Sequence, residues 1–109
     1  MVLEDALTEE GFTLVLPSDG NTAIAELDAD APRFRGVVTE ISLGAGADGW
    51  EVARHAREIV PAMPIIYMTG GDGHEWAARG VPKSVLVPKP FVPAQIITAI
   101  STLLNEPNG

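Results

Sequence analysis

Three polar residues stand out by type and by place: Glu40 in GVVTEISLG, Thr69 in PIIYMTGG and Lys89 in SVLVPKPF. Each ends or follows a short apolar run rich in β-branched residues, the pattern of a strand buried in a parallel sheet. A carboxylate at the end of such a run is costly to bury unless a partner or solvent meets it there. If the three strands run parallel, an acid, a hydroxyl and an ammonium converge on one pocket, because open α/β sheets bind ligands outside the carboxyl ends of their strands. Each residue also has a plainer reading. Glu40 suits a solvated strand end, and Thr69 suits a β-branched strand residue bonded to backbone. Lys89, set between two prolines, contributes little to packing and is harder to explain that way.

Other chemistries are poorly supplied. The chain has no cysteine, hence no disulfide, thiolate metal site or thiol nucleophile. His74 lacks the second histidine of a zinc-protease helix, since Ala78 stands four residues on. His55, within ARHARE, reads as a solvated helix position, and Trp50 and Trp76 read as packing residues beside loops. GAGADG follows an acid-bearing strand with no suitably placed ribose-binding acid, so it is not a dinucleotide fingerprint. There is no Gly-x-Ser-x-Gly turn and no histidine at a strand end, which argues against a small α/β enzyme. A net charge of -8 without a basic run argues against a nucleic-acid or membrane surface and directs attention to proteins or cations as partners. MVLEDALTEE is not a signal peptide, and no apolar run approaches the roughly 20 residues of a membrane span. The expectation is a cytoplasmic protein.

The elements that would position the trio alternate in period. Helical spacing in VLEDALTEEG stops at Gly11; FTLVLP reads as a strand before the turn SDGN; TAIAELDAD is helical. GVVTEIS is a strand, and a helix from Trp50 to Val60 places Val52, Ala53, Ala56, Ile59 and Val60 on one stripe. PIIYMT is a strand, HEWAARG a short helix, SVLVP a strand, and Ala94 to Leu104 a helix with an apolar face of Ile96, Ile97, Ile100, Leu103 and Leu104. The 109 residues make one domain, with the tail at 105–109 expected to fray. Strands alternating with helices imply an α/β fold, a doubly wound parallel sheet with helices on both faces.

VVTEISL with DGWEVARHAR behind it, PIIYMTGG and VPKPF together resemble the receiver domains of bacterial two-component response regulators, from about Leu3 to Leu104. The resemblance implies a flavodoxin-like, CheY-like fold. It implies that Glu40 stands where the family has the aspartate that takes a phosphoryl group from a histidine kinase, and that Thr69 and Lys89 match the residues contacting that group. It also implies that the Lys89–Pro90 bond is a candidate for the cis form, which is accessible because Pro90 follows, and that Gly49 matches a glycine of the loop behind the acceptor strand.

The departures from the family pattern bear on function. Glutamate is one methylene longer than aspartate, placing its oxygens about 1.5 Å further out, and a misplacement of roughly 1 Å can cost about 10²-fold in rate. Glu40 therefore suits a constitutive charge facing Lys89 better than a nucleophile. The acidic pair that helps family members hold Mg²⁺ has no counterpart: Glu4 and Asp5 lie too close to Gly11 to leave room for a helix between. The expectation is no cofactor and at most weak Mg²⁺ binding. An aromatic residue common three positions before the lysine is replaced by Leu86, which removes the usual rotamer readout.

The family's first strand, central in the order 2-1-3-4-5, is also missing. That leaves three outcomes: FTLVLP and GVVTEI pair directly, another chain supplies the edge, or the natural chain begins upstream of Met1. The exposed edge makes a homodimer a specific expectation. The resemblance supports two functions: a degenerate receiver that binds a histidine kinase, a phosphotransfer protein or another receiver, and the alternative of a working phosphoacceptor. The residues favour the first.

Overall fold

The computed structural model describes residues 2–71 and 73–105. Three strands, β1 (Val37–Glu40), β2 (Ile65–Thr69) and β3 (Val85–Pro88), form one parallel sheet in the order β1-β2-β3. Val37 faces Ile65, Glu40 faces Met68, and Thr69 faces Pro88. This register aligns the carboxyl ends of all three strands along one edge.

Side chains alternate across a strand, so each strand feeds two cores. Val37, Ile65, Tyr67 and Leu86 belong to one, covered by α2 (Gly20–Asp30) and α3 (Gly49–Ile59). Val38, Ile66, Met68, Val85 and Val87 belong to the other, covered by α1 (Val2–Glu9) and α5 (Pro93–Asn105). A 3-10 turn at Gly73–Glu75 leads into the short α4 (Trp76–Arg79). The molecule thus has the flavodoxin-like, doubly wound arrangement that the alternating periods imply.

Helix starts are fixed by side chains. The carboxylate of Asp19 accepts from the Thr22 amide at 2.8 Å, and that of Asp48 from the Glu51 amide at 3.0 Å, each occupying a helix donor that has no partner inside its helix. Pro93 opens α5, where its missing N–H costs nothing.

Two expectations are corrected. FTLVLP forms no strand. A strand needs a ladder partner, and a groove separates this segment from β1; Val15 and Leu16 are 41% and 63% exposed instead. The direct pairing of FTLVLP with GVVTEI therefore does not occur. The stripe on α3 forms with one exception: Val52, Ala53 and Ala56 are buried and Val60 packs against the same core, while Ile59 in the last turn is 40% exposed. Residues 106–109 of the tail expected to fray lie outside the described residues. Among the described residues no helix is long and apolar enough to cross a membrane.

Candidate functional site

Glu40 is the last residue of β1 and Lys89 the first after β3, with β2 between them. Their side chains meet: the Lys89 ammonium donates to Glu40 Oε1. Both are 45% exposed, so the pair lies at the mouth of the site, where its charges stay hydrated. The Lys89–Pro90 bond is cis.

Thr69, buried at the end of β2, is tied to the pair through the backbone, its carbonyl accepting from the Lys89 amide at 2.7 Å. Its hydroxyl accepts from the Gly71 amide at 3.1 Å, holding the turn that follows the strand. The structure therefore brings Glu40 and Lys89 into direct contact and sets Thr69 at the adjoining strand end.

Gly49 holds the geometry behind Glu40. Its amide donates to the Ile41 carbonyl at 2.8 Å, and a Cβ added there would lie 2.2 Å from the Glu40 carbonyl oxygen. Only a glycine lets α3 start this close to the end of β1. The Glu40 carbonyl in turn accepts from the Thr39 hydroxyl at 2.8 Å.

Other residues position the loop after β1 and were not singled out from sequence. Asn21 Oδ1 accepts from the Ala47 amide at 3.1 Å, and a Cβ at Gly20 would fall 2.0 Å from the Ala47 carbonyl oxygen. The first turn of α2 thus clamps the loop that carries the chain away from Glu40. The signal lay in the repeated pattern of aspartate then glycine, SDGNTAIAEL and ADGWEVARHA, which marks both clamped helix starts. Arg79 reaches Asp48 at 3.6 Å and lies 5.5 Å above the Trp50 ring, joining α4 to the start of α3. Trp50 itself is buried against Tyr67, the packing role expected of it, with ring centroids 4.8 Å apart. His55 is not merely solvated: its Nε2 lies 2.6 Å from Asp28 Oδ1, linking α3 to α2.

The donor set is a poor match to a resident metal. Among the described residues no group of three or more histidine, cysteine, aspartate or glutamate side chains could hold one, and the Glu40 carboxylate is already engaged by Lys89. What the arrangement can do is present a carboxylate, an ammonium and a hydroxyl at one sheet edge.

No family model and no curated protein sequence matches the chain. Solved structures do. The chain is 50% identical to a response regulator receiver protein of Sinorhizobium medicae, with a TM-score of 0.90 over 94% of this chain and 82% of that one. Its fold is similar to the receiver domain of NtrX from Brucella abortus, at 24% identity and a TM-score of 0.77 over 94% of this chain and 86% of that one. It is also similar to the receiver domain of a Pseudomonas aeruginosa sensor histidine kinase with a magnesium ion in its active-site cleft, at 24% identity and a TM-score of 0.76 over 96% and 87% of the two chains. With a parallel sheet covered on both faces and half its residues shared with a receiver protein over nearly its whole length, the chain belongs to the receiver-domain family of two-component response regulators.

Proposed function

We propose that this domain is a degenerate receiver, a cytoplasmic binding module of a two-component pathway in which Glu40 is a standing negative charge at the phosphoacceptor position. The observation that carries this reading is the ion pair between Glu40 and Lys89. Lys89 then satisfies with a built-in carboxylate the role that a phosphoryl group would otherwise fill, and Thr69 and Gly49 shape the same strand ends. Phosphoryl transfer to Glu40 is disfavoured on two grounds. The longer side chain misplaces the nucleophile, and one carboxylate already bonded to an ammonium is a weak ligand for the Mg²⁺ that neutralises phosphoryl oxygens.

Output on this reading is by contact with another protein: a histidine kinase, a phosphotransfer protein or a second receiver. Leu86, half-buried in the core beneath α2 and α3, offers no ring to swing between inward and outward positions.

The test is a titration with Mg²⁺ and beryllofluoride followed by backbone NMR at Glu40, Thr69 and Lys89. Resonances that stay in place in the folded protein are the expected result. Shifts that saturate at low millimolar Mg²⁺, accompanied by a change in Trp50 fluorescence, would establish a working phosphoryl pocket and reject the proposal.

A further inference from the structure

Helix α4 holds no buried residue: Trp76, Ala77, Ala78 and Arg79 are all exposed. One turn of helix is not stable by itself, so its place is set by what its side chains grip. Two of them grip. The Trp76 indole N–H donates to Ser84 Oγ at 2.9 Å, and the ring lies so close to Gly80 that a Cβ there would fall 2.4 Å from its Cδ1. This attachment joins α4 to the segment that follows it in the chain. Arg79 makes the other attachment, which crosses to a different element.

The Arg79 guanidinium is forked between two carboxylates. Its Nη1 lies 3.5 Å from Glu75 Oε1 and its Nη2 3.6 Å from Asp48 Oδ2, with Cζ 5.5 Å from the centre of the Trp50 ring. Glu75 immediately precedes α4 and travels with it. Asp48 and Trp50 do not: they flank Gly49, the glycine on which the end of β1 rests. The Gly49 amide donates to the Ile41 carbonyl at 2.8 Å, and a side chain there would have no room against the Glu40 carbonyl oxygen. Asp48 serves two tasks because its oxygens are divided. Oδ1 accepts from the Glu51 amide at 3.0 Å, starting α3, and Oδ2 faces Arg79. A movement of α4 thus reaches the end of β1 by a short path through Arg79, Asp48 and Gly49.

We propose that Arg79 is a latch that makes α4 and the Glu40 end of β1 move as one unit. Engaged with Asp48, it seats both neighbours of Gly49. Released and held by Glu75 instead, it frees α4 from α3 and lets residues 48–50 shift against Glu40. Whatever docks on the exposed turn and draws Arg79 away is thereby felt at the charged strand end, and coupling of this kind is reciprocal. The proposal is independent of the role of Glu40: the latch bears on the backbone of residues 40 and 41 and survives if Glu40 proves to be a phosphoacceptor.

Backbone NMR and native-state hydrogen exchange on the full chain test it by reading each end of the latch from the other. Asp48→Asn removes the charge but keeps an oxygen able to cap α3. It is read at the Gly80 amide, which donates to the Trp76 carbonyl at 2.8 Å. Arg79→Gln is read at the Glu40 and Ile41 amides, at the far end of the path. Asp48→Asn is expected to speed Gly80 exchange about two- to fivefold, the worth of one exposed ion pair, and Arg79→Gln to move the Glu40 and Ile41 resonances. In the double variant Arg79→Gln is expected to add nothing to what Asp48→Asn already does. Glu75→Gln, which leaves the Asp48 pair intact, is expected to leave the Glu40 and Ile41 resonances in place. Gly80 exchange unchanged by Asp48→Asn, or resonances of Glu40 and Ile41 unmoved by Arg79→Gln, overturns the proposal. So does an Arg79→Gln effect that Glu75→Gln reproduces, or one that persists undiminished beside Asp48→Asn, which would assign the link to the Trp50 ring and not to the charge pair.

Discussion

One residue, Gly49, does more for the stability of the site than the charge pair in front of it. Glu40 and Lys89 are each 45% exposed, and ion pairs of that kind contribute about 0–1 kcal/mol. Glu40→Gln keeps the shape and removes the charge, so urea unfolding should shift by less than about 1 kcal/mol. A methyl group at position 49 has nowhere to go, since its nearest neighbour at 2.2 Å is a backbone oxygen rather than a flexible side chain. Gly49→Ala should therefore cost about 1–3 kcal/mol in the same measurement, as overpacking does, and should displace the Glu40 and Ile41 amide resonances. Equal effects of the two substitutions would contradict this ordering. Glu40 and Lys89 were identifiable because strand ends are marked locally, and Gly49 was reached through the resemblance to receiver domains. Gly20 and Asn21 were not, because SDGN reads as a turn whatever packs on it, and the loop that does so lies 26 residues on.

Among the elements, the same limit appears in FTLVLP. Its composition is that of a strand, but strand formation depends on a neighbour, and composition cannot report that no described strand lies beside it. The strands that do form, β2 above all, were readable because each is apolar on both faces and bounded by proline or glycine. How β2 is joined to the segment before β3 was not readable. The Tyr67 hydroxyl accepts from the Val81 amide at 3.1 Å within the core, and burial raises the phenol pKa above its ordinary value of 10.0. A proton held more tightly in the folded state than in the unfolded chain stabilises the fold below the unfolded pKa. Stability should thus be flat up to about pH 10 and fall above it, as tyrosine in the unfolded chain ionises first. Tyr67→Phe should lower stability by about 1–3 kcal/mol near neutral pH, by stranding the Val81 amide, and should reduce the alkaline decline; urea melts of both proteins across that range would show it. On the other side of this connection, Arg57 donates from Nε to the Met63 carbonyl and from Nη1 to the Pro82 carbonyl, both at 2.6 Å. Arg57→Lys keeps the charge but loses the forked geometry that serves two acceptors at once. It should cost about 1–2 kcal/mol, and full recovery of wild-type stability by lysine would show that the charge alone suffices.

For the molecule as a whole, the consequential fact is that, among the described residues, a three-stranded sheet separates two cores. Ile65 and Ile66 are neighbours in sequence and both fully buried, yet they serve opposite faces: Ile65 packs with the core of α2 and α3, Ile66 with that of α1 and α5. Truncating either removes the same atoms and leaves a cavity, so Ile65→Ala and Ile66→Ala should each cost about 2–5 kcal/mol. Their local consequences should differ. Proteins open in cooperative units that coincide with packed groups of elements, and here the two groups meet only through short strands. In Ile66→Ala, native-state hydrogen exchange should accelerate most in α1 and α5, whereas Ile65→Ala should loosen α2 and α3 first. Among the described residues β1 is an edge strand, so beyond it no strand couples the two layers. If both substitutions accelerate exchange uniformly over all four helices, the sheet transmits packing strain fully and the domain opens as one unit, despite the two cores on either side of it.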